Sequence, residues 1–229
     1  MMPAALSSGR KRVVVFISGS GSNMMSLVKA CQTADFPAEI ACVISDKATA
    51  GGLEKARGSG IPTLVFERRT YASKTEHEGA ILAALGEIAP DIICLAGYMR
   101  LISGDFIAPY EGRIINIHPS LLPLFPGLHT HQRAIDSGMK ISGCTVHFVT
   151  EGMDEGPTIA QGAVPVLSDD TADTLAARIL TVEHQLYPLA LKLLAEGKVR
   201  MEGGKAVFDK NESKTEYSIL VSASLCSYS

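Results

Sequence analysis

The chain has no Cys-x-x-Cys pair, no apolar run approaching the roughly 20 residues that span a bilayer, and no basic run longer than Arg10-Lys11-Arg12. The five cysteines, Cys31, Cys42, Cys94, Cys144 and Cys226, are odd in number, and four of them sit in apolar or periodic stretches where a thiol behaves as a small hydrophobe. A disulfide framework is therefore not expected, and a reducing, cytoplasmic setting is. The longest apolar runs, such as residues 13–17 and 92–96, are of strand size, so no membrane partner is expected. A net charge of −3 with dispersed lysines and arginines leaves no electrostatic footprint for nucleic acid. Residues 1–12 place their charges after a short apolar stretch, the reverse of a secretory signal. Cys226-Ser227-Tyr228-Ser229 has prenylation spacing without the aliphatic middle pair, so it reads as chance. What remains, 46% apolar and 20% charged residues over 229 positions, is the profile of a globular protein with one α/β domain or two small ones.

Residues 13–18 form a β-branched run without alternation, the mark of a strand covered on both faces, and residues 22–32 follow with helical spacing through Met24, Leu27, Val28 and Cys31. The unit recurs. Strands are expected at 40–45, 63–66 and 91–96, and helices at 53–57 and 74–88. Such alternation predicts a Rossmann-like α/β fold, an open twisted sheet with helices on both faces, mainly parallel in its N-terminal half. A strand at 113–118 stops at Pro119. Beyond it a Pro-rich loop and a short helix at 130–136 precede strands at 144–149 and 163–166 joined by a Gly-rich loop, which extend the sheet in antiparallel fashion. Leu175, Ile179, Val182, Leu186, Leu189 and Leu193 share one helical face over residues 171–194, with a kink expected at Pro188 and Glu183 at the edge of the stripe. Gly203-Gly204 marks a hairpin within 200–208. One domain over 12–208 is expected, with a short extension at 1–11 and a flexible tail at 209–229.

Two segments carry chemistry. Gly19-Ser20-Gly21-Ser22-Asn23 turns from the first strand into a helix whose free N–H groups and positive dipole end suit a phosphate; Met24 in place of a third glycine favours a mononucleotide or sugar phosphate over a dinucleotide. Asp46, at the end of the second strand, is where a dinucleotide fold would place its ribose acid. Asn116 and His118, two apart on a strand, project from one face at its carboxyl end, and Asp154, in Gly152-Met153-Asp154-Glu155-Gly156-Pro157, can orient the imidazole. No nucleophile elbow accompanies them, which suits transfer between two bound substrates.

These motifs, together with Leu95-Ala96-Gly97-Tyr98-Met99-Arg100, Asn116-Ile117-His118-Pro119-Ser120-Leu121-Leu122-Pro123, Pro126-Gly127-Leu128-His129-Thr130-His131, His147-Phe148-Val149 and Glu183-His184-Gln185-Leu186-Tyr187-Pro188, closely resemble the phosphoribosylglycinamide formyltransferase family of purine biosynthesis. The resemblance runs in order from about Arg12 to about Phe208, with Leu124 where a basic residue is frequent. It implies formyl transfer from 10-formyltetrahydrofolate to 5-phosphoribosylglycinamide without metal. In that scheme Asn116 and protonated His118 donate to the oxyanion, and Asp154 holds His118 and helps to move a proton. Gly21, Ser22 and Asn23 take the phosphate and Glu183 the ribose. Met99, Arg100, Leu101, Ile102 and Asn116 line the folate site, with Lys74 for its glutamate tail. Nothing in the pattern selects between a monomer and a homodimer.

A formyltetrahydrofolate hydrolase would use the same Asn, His and Asp with water as acceptor, but its family carries an N-terminal regulatory domain larger than the dozen or so residues before the first strand. Methionyl-tRNA formyltransferase would carry an RNA-binding domain after Phe208. A metal-dependent hydrolase would recruit His118, His129, His131, His147 and Asp154 as ligands.

Overall fold

The structure, a computed structural model, describes residues 9–209 and 218–220. In chain order its first half contains β1 (Lys11–Ile17), α1 (Ser22–Cys31), β2 (Ala38–Ser45), α2 (Gly51–Gly58), β3 (Thr63–Val65), α3 (Lys74–Ile88), β4 (Ile92–Leu95), α4 (Gly104–Ile107) and β5 (Ile114–His118). The second half contains α5 (Thr130–Asp136), β6 (Ile141–Phe148), β7 (Thr158–Pro165), α6 (Ala172–Ala195), β8 (Val199–Glu202), β9 (Lys205–Phe208) and β10 (Ser218–Leu220).

The run in β1 is continuously apolar because its two faces enter two cores. Val13, Val15 and Ile17 join the core covered by α1, α2, α5 and α6; Val14 and Phe16 join the one covered by α3 and α4. β4 repeats the division, with Ile92 and Cys94 on the first face and Ile93 and Leu95 on the second. The sheet order is β10-β7-β6-β5-β4-β1-β2-β3. Strands β1 to β5 pair in parallel, and β6 lies antiparallel to both β5 and β7. This is the mixed sheet expected from the alternation of elements. β8 and β9 form the separate hairpin marked by Gly203-Gly204. Among the described residues no helix is long and apolar enough to cross a membrane.

Three details differ from the sequence-based expectations. β7 begins at Thr158, five residues before the expected start, because Gly162 is a strand glycine and not part of a loop. A Cβ built on Gly143 of β6 would lie 1.9 Å from the Gly162 carbonyl oxygen, so the bare backbone at 143 is what permits the close pairing. The single turn α4 carries too few residues for a periodic signal; Ser103 caps it by accepting from the Phe106 N–H. β10 adds a strand parallel to β7 from within the C-terminal segment, whose other residues, 210–217 and 221–229, lie outside the described residues, as do residues 1–8 of the N-terminal extension.

α6 starts from a capping box of Thr171 and Thr174 and continues as one helix through Pro188. Its buried Tyr187 reaches into the sheet, with its hydroxyl 2.9 Å from the Leu95 carbonyl oxygen and 3.1 Å from that of Ile115. One O–H thus serves a carbonyl of each of β4 and β5. Tyr187→Phe leaves these carbonyls without that donor and is expected to lower unfolding free energy by about 1–3 kcal/mol, as measured by denaturant titration.

Candidate active site

From β1 the chain builds β2 on one side, and β4 pairs on the other, so the loops leaving β1 and β4 diverge at a topological switch point. Ser18 bridges them. Its N–H donates to the Gly97 carbonyl at 3.2 Å and its hydroxyl accepts from the Met99 N–H at 2.9 Å. A cavity of about 510 Å³ opens along this edge.

On β5 the second core stops at Ile114. Asn116 and His118 follow on the same face, and the antiparallel register sets His147 and Thr145 of β6 directly opposite them. An apolar face thereby becomes a polar patch of four side chains. Thr145 anchors the loop after β5: its hydroxyl donates to the Ser120 carbonyl at 2.7 Å and accepts from the Leu122 N–H at 3.0 Å, and Gln161 donates to the Leu122 carbonyl at 2.8 Å. That loop returns the Phe125 carbonyl to 3.0 Å from His118 Nε2. A carbonyl only accepts, so Nε2 carries a hydrogen. His118 Nδ1 faces Asp154 Oδ2 at 3.3 Å. Asp154 occupies the left-handed region at φ 56°, and the same Oδ2 accepts from the Gly127 N–H at 2.9 Å, which joins the two loops.

From the sequence His147 entered only as a candidate metal ligand and within a shared motif; its pairing with Asn116 comes from strand register. Its Nε2 lies 3.2 Å from Asn116 Nδ2 and 3.8 Å from Asp154 Oδ1. Burial pushes its pKa down, against the opposing effects of the Phe148 carbonyl and Asp154.

At the opposite end, α1 begins at Gly21 with φ 71° and no side-chain cap on its first N–H groups. A Cβ at Gly21 would lie 2.9 Å from the Gly52 Cα, so glycine is required both by conformation and by the approach of α2. Asn23 Nδ2 donates to Glu183 Oε2 at 2.6 Å. Glu183 is 6% exposed; burial raises its pKa, with the Asn23 bond opposing.

Of the residues selected from the sequence, Asn23, Met99, Arg100, Leu101, Ile102, Asn116, His118, Asp154 and Glu183 line the one cavity. Gly21 and Ser22 stand outside its lining, at the adjoining start of α1. Lys74 lines a neighbouring cavity of about 480 Å³ together with Arg68, His77 and Arg100, and its Nζ lies 3.7 Å from Glu78. Asp46 is engaged by protein: its buried carboxylate accepts from Arg100 Nε at 2.7 Å, which anchors the loop after β4. Residues 150–153 also line the main cavity, although only Asp154 of that segment had been selected. Among the described residues no group of three or more His, Cys, Asp or Glu is placed to hold a metal ion, so the candidate ligand set of a metal hydrolase is not assembled.

Comparison with known proteins bears on this arrangement. Residues 11–191 match the formyl transferase family. The chain belongs to that family. It is 42% identical over 197 residues to phosphoribosylglycinamide formyltransferase of Escherichia coli, covering 86% of this chain and 93% of that protein. It is 45% identical over 204 residues to the human trifunctional purine biosynthetic protein adenosine-3; the match covers 89% of this chain but spans only 20% of that relative's length. A crystal structure of phosphoribosylglycinamide formyltransferase from Brucella melitensis shares 70% identity and superposes with a TM-score of 0.79, covering 81% of this chain and 96% of that one.

In this formyl transferase the buried Glu183 favours its protonated form, so it binds a proton more tightly folded than unfolded. Its contribution to stability is present below the ordinary carboxylate value of 4.5 and is lost as pH rises above it. Glu183→Gln, which keeps an oxygen for Asn23, is therefore expected to melt at a higher temperature than the native chain at pH 7, with the difference closing as pH falls below that value; thermal melts across pH test this.

Proposed function

We propose that this chain transfers the formyl group of 10-formyltetrahydrofolate to the amine of 5-phosphoribosylglycinamide, a step of purine biosynthesis. The observation that carries the proposal is that one cavity gathers Asn116 and His118 of β5 and Asp154 of the loop after β6 with Asn23 of α1 and Glu183 of α6. That lining suits a substrate anchored by phosphate and ribose beside α1 with its amine presented to the trio.

The amine attacks the formyl carbon, a C–N bond forms, and the carbonyl oxygen becomes an oxyanion. An Asn116 N–H donates to that oxygen, and, because Nε2 of His118 is held by the Phe125 carbonyl, the second donor is the Nδ1–H of the charged ring. Collapse of the tetrahedral species breaks the bond to folate nitrogen, which takes up a proton as the new ammonium loses one. Asp154, beside His118 Nδ1, stabilises the ring whenever it gains charge and provides the route for that proton. The N–H groups at the start of α1 receive the phosphate, and Glu183 accepts from the ribose hydroxyls. Met99 to Ile102 form the folate wall, with Asn116 shared between both substrates, and Lys74 meets the glutamate tail from the neighbouring cavity. On this reading residues 12–208 make one formyltransferase domain, its partners are the two small molecules, and its location is the cytoplasm.

Purified protein with both substrates and a chelator is expected to yield formylated ribonucleotide and tetrahydrofolate in equal amounts. Free formate without ribonucleotide product would indicate hydrolysis instead, and activity abolished by chelation would indicate a metal enzyme. Two substitutions divide the cavity. Asn23→Ala should raise the ribonucleotide KM by about tenfold or more with the folate KM nearly unchanged, whereas Asp154→Asn should lower kcat and leave both KM values within about twofold. Equal effects of Asn23→Ala on both substrates would contradict placing the ribonucleotide against Asn23 and Glu183.

A further inference from the structure

The orientation of the Asn116 amide can be derived from a backbone group. The Phe148 carbonyl oxygen lies 2.8 Å from His147 Nδ1, and because a carbonyl only accepts, Nδ1 bears a hydrogen. His147 is 2% exposed, and burial disfavours its charged form, so the other ring nitrogen keeps a lone pair. Nε2 must then meet a donor. The amide of Asn116, its partner across β5 and β6, has hydrogens only on Nδ2, and the contact observed is Nδ2 to Nε2 at 3.2 Å. The flipped amide would set an oxygen lone pair against a nitrogen lone pair.

The carbonyl that starts this chain is itself held. The Phe148 N–H donates to the Pro157 carbonyl at 2.9 Å, and a Cβ on Gly156 would lie 1.7 Å from the Phe148 oxygen and 3.4 Å from His147 Nδ1. The loop after β6 therefore packs bare backbone against the group that sets the imidazole tautomer. The other charged and titratable groups near the ring are Asp154, 3.8 Å from Nε2, and His118.

We infer that His147 is the positioning residue for Asn116: its Nε2 accepts one amide N–H, fixes which end of the amide faces the cavity, and leaves the second N–H to donate to the developing oxyanion. The inference rests on the formyl-transfer reading above. His147 acts through Asn116 and need not touch substrate, so its removal weakens charge stabilisation without weakening binding.

The test is a mutant cycle on the full chain, with kcat and both KM values measured for formylated ribonucleotide formation and folding checked by melting. His147→Leu should lower kcat by about tenfold to a hundredfold, no more than Asn116→Ala does, with KM values within about twofold. His147→Gln, whose side-chain oxygen reaches the Nε2 position, should recover most of that loss. In the Asn116→Ala background His147→Leu should change kcat by less than about twofold, since the residue it positions is gone. If His147→Leu does not fold, His147→Asn replaces it in the cycle, because its shorter amide stops at the Nδ1 position, and the same non-additivity is expected. Native turnover in folded His147→Leu, or losses that multiply with those of Asn116→Ala, would overturn the inference. A native chain that forms no formylated ribonucleotide would instead overturn the functional reading.

Discussion

The antiparallel register between β5 and β6 is the constraint on which the rest of the site depends. It places Asn116 against His147 and His118 against Thr145 on the face where the apolar core has ended. A slip of one residue would turn Asn116 and His118 into the core and bring Ile115 and Ile117 to the cavity, a change opposed by the burial of both isoleucines among α6 and its neighbours. The hydrophobic effect thereby fixes the location of polar chemistry. Gly143 strengthens the same constraint one strand further on, because only a glycine there lets β7 approach.

Around that register the polar groups are satisfied almost entirely by one another. Thr145 and Gln161 hold the loop whose Phe125 carbonyl takes His118 Nε2, and Asp154 spans from His118 to the Gly127 N–H. Asp154 adopts a left-handed backbone conformation to do so, a strain of the kind that surrounding contacts must over-determine. At the far end the buried Glu183 is an acid kept where its charge is disfavoured, with Asn23 as its hydrogen-bond donor. Stability is given up there for a carboxyl group facing the cavity, a balance common at functional sites.

Much of this was legible in the sequence, for a physical reason. The apolar runs of β1 and β4 and the period of α6 arise from burial, and burial leaves a pattern that does not need tertiary contacts to be read. Asn116 and His118 were legible because a strand interrupted by Pro119 fixes their shared face. Three features were not. Gly162 looked like a loop residue, since nothing local reveals that Gly143 will lie against it. Asp46 was marked only by standing where a dinucleotide fold would place a ribose acid, and nothing local revealed that the fold would bring Arg100 to it across the switch point. His147 stood out only in a shared motif and as a candidate metal ligand, because its relation to Asn116 exists only through cross-strand pairing. Contacts between elements distant in sequence were the ones that could not be read.

The central claim is that Asn116 and His118 stabilise one developing charge as a unit. It is tested most directly by kcat for Asn116→Ala, His118→Ala and the double variant, each shown by melting to be folded. Each single change is expected to cost about 10²- to 10³-fold and the double change far less than the product of the two. Near-native turnover in folded His118→Ala, or a double loss equal to that product, would contradict the account.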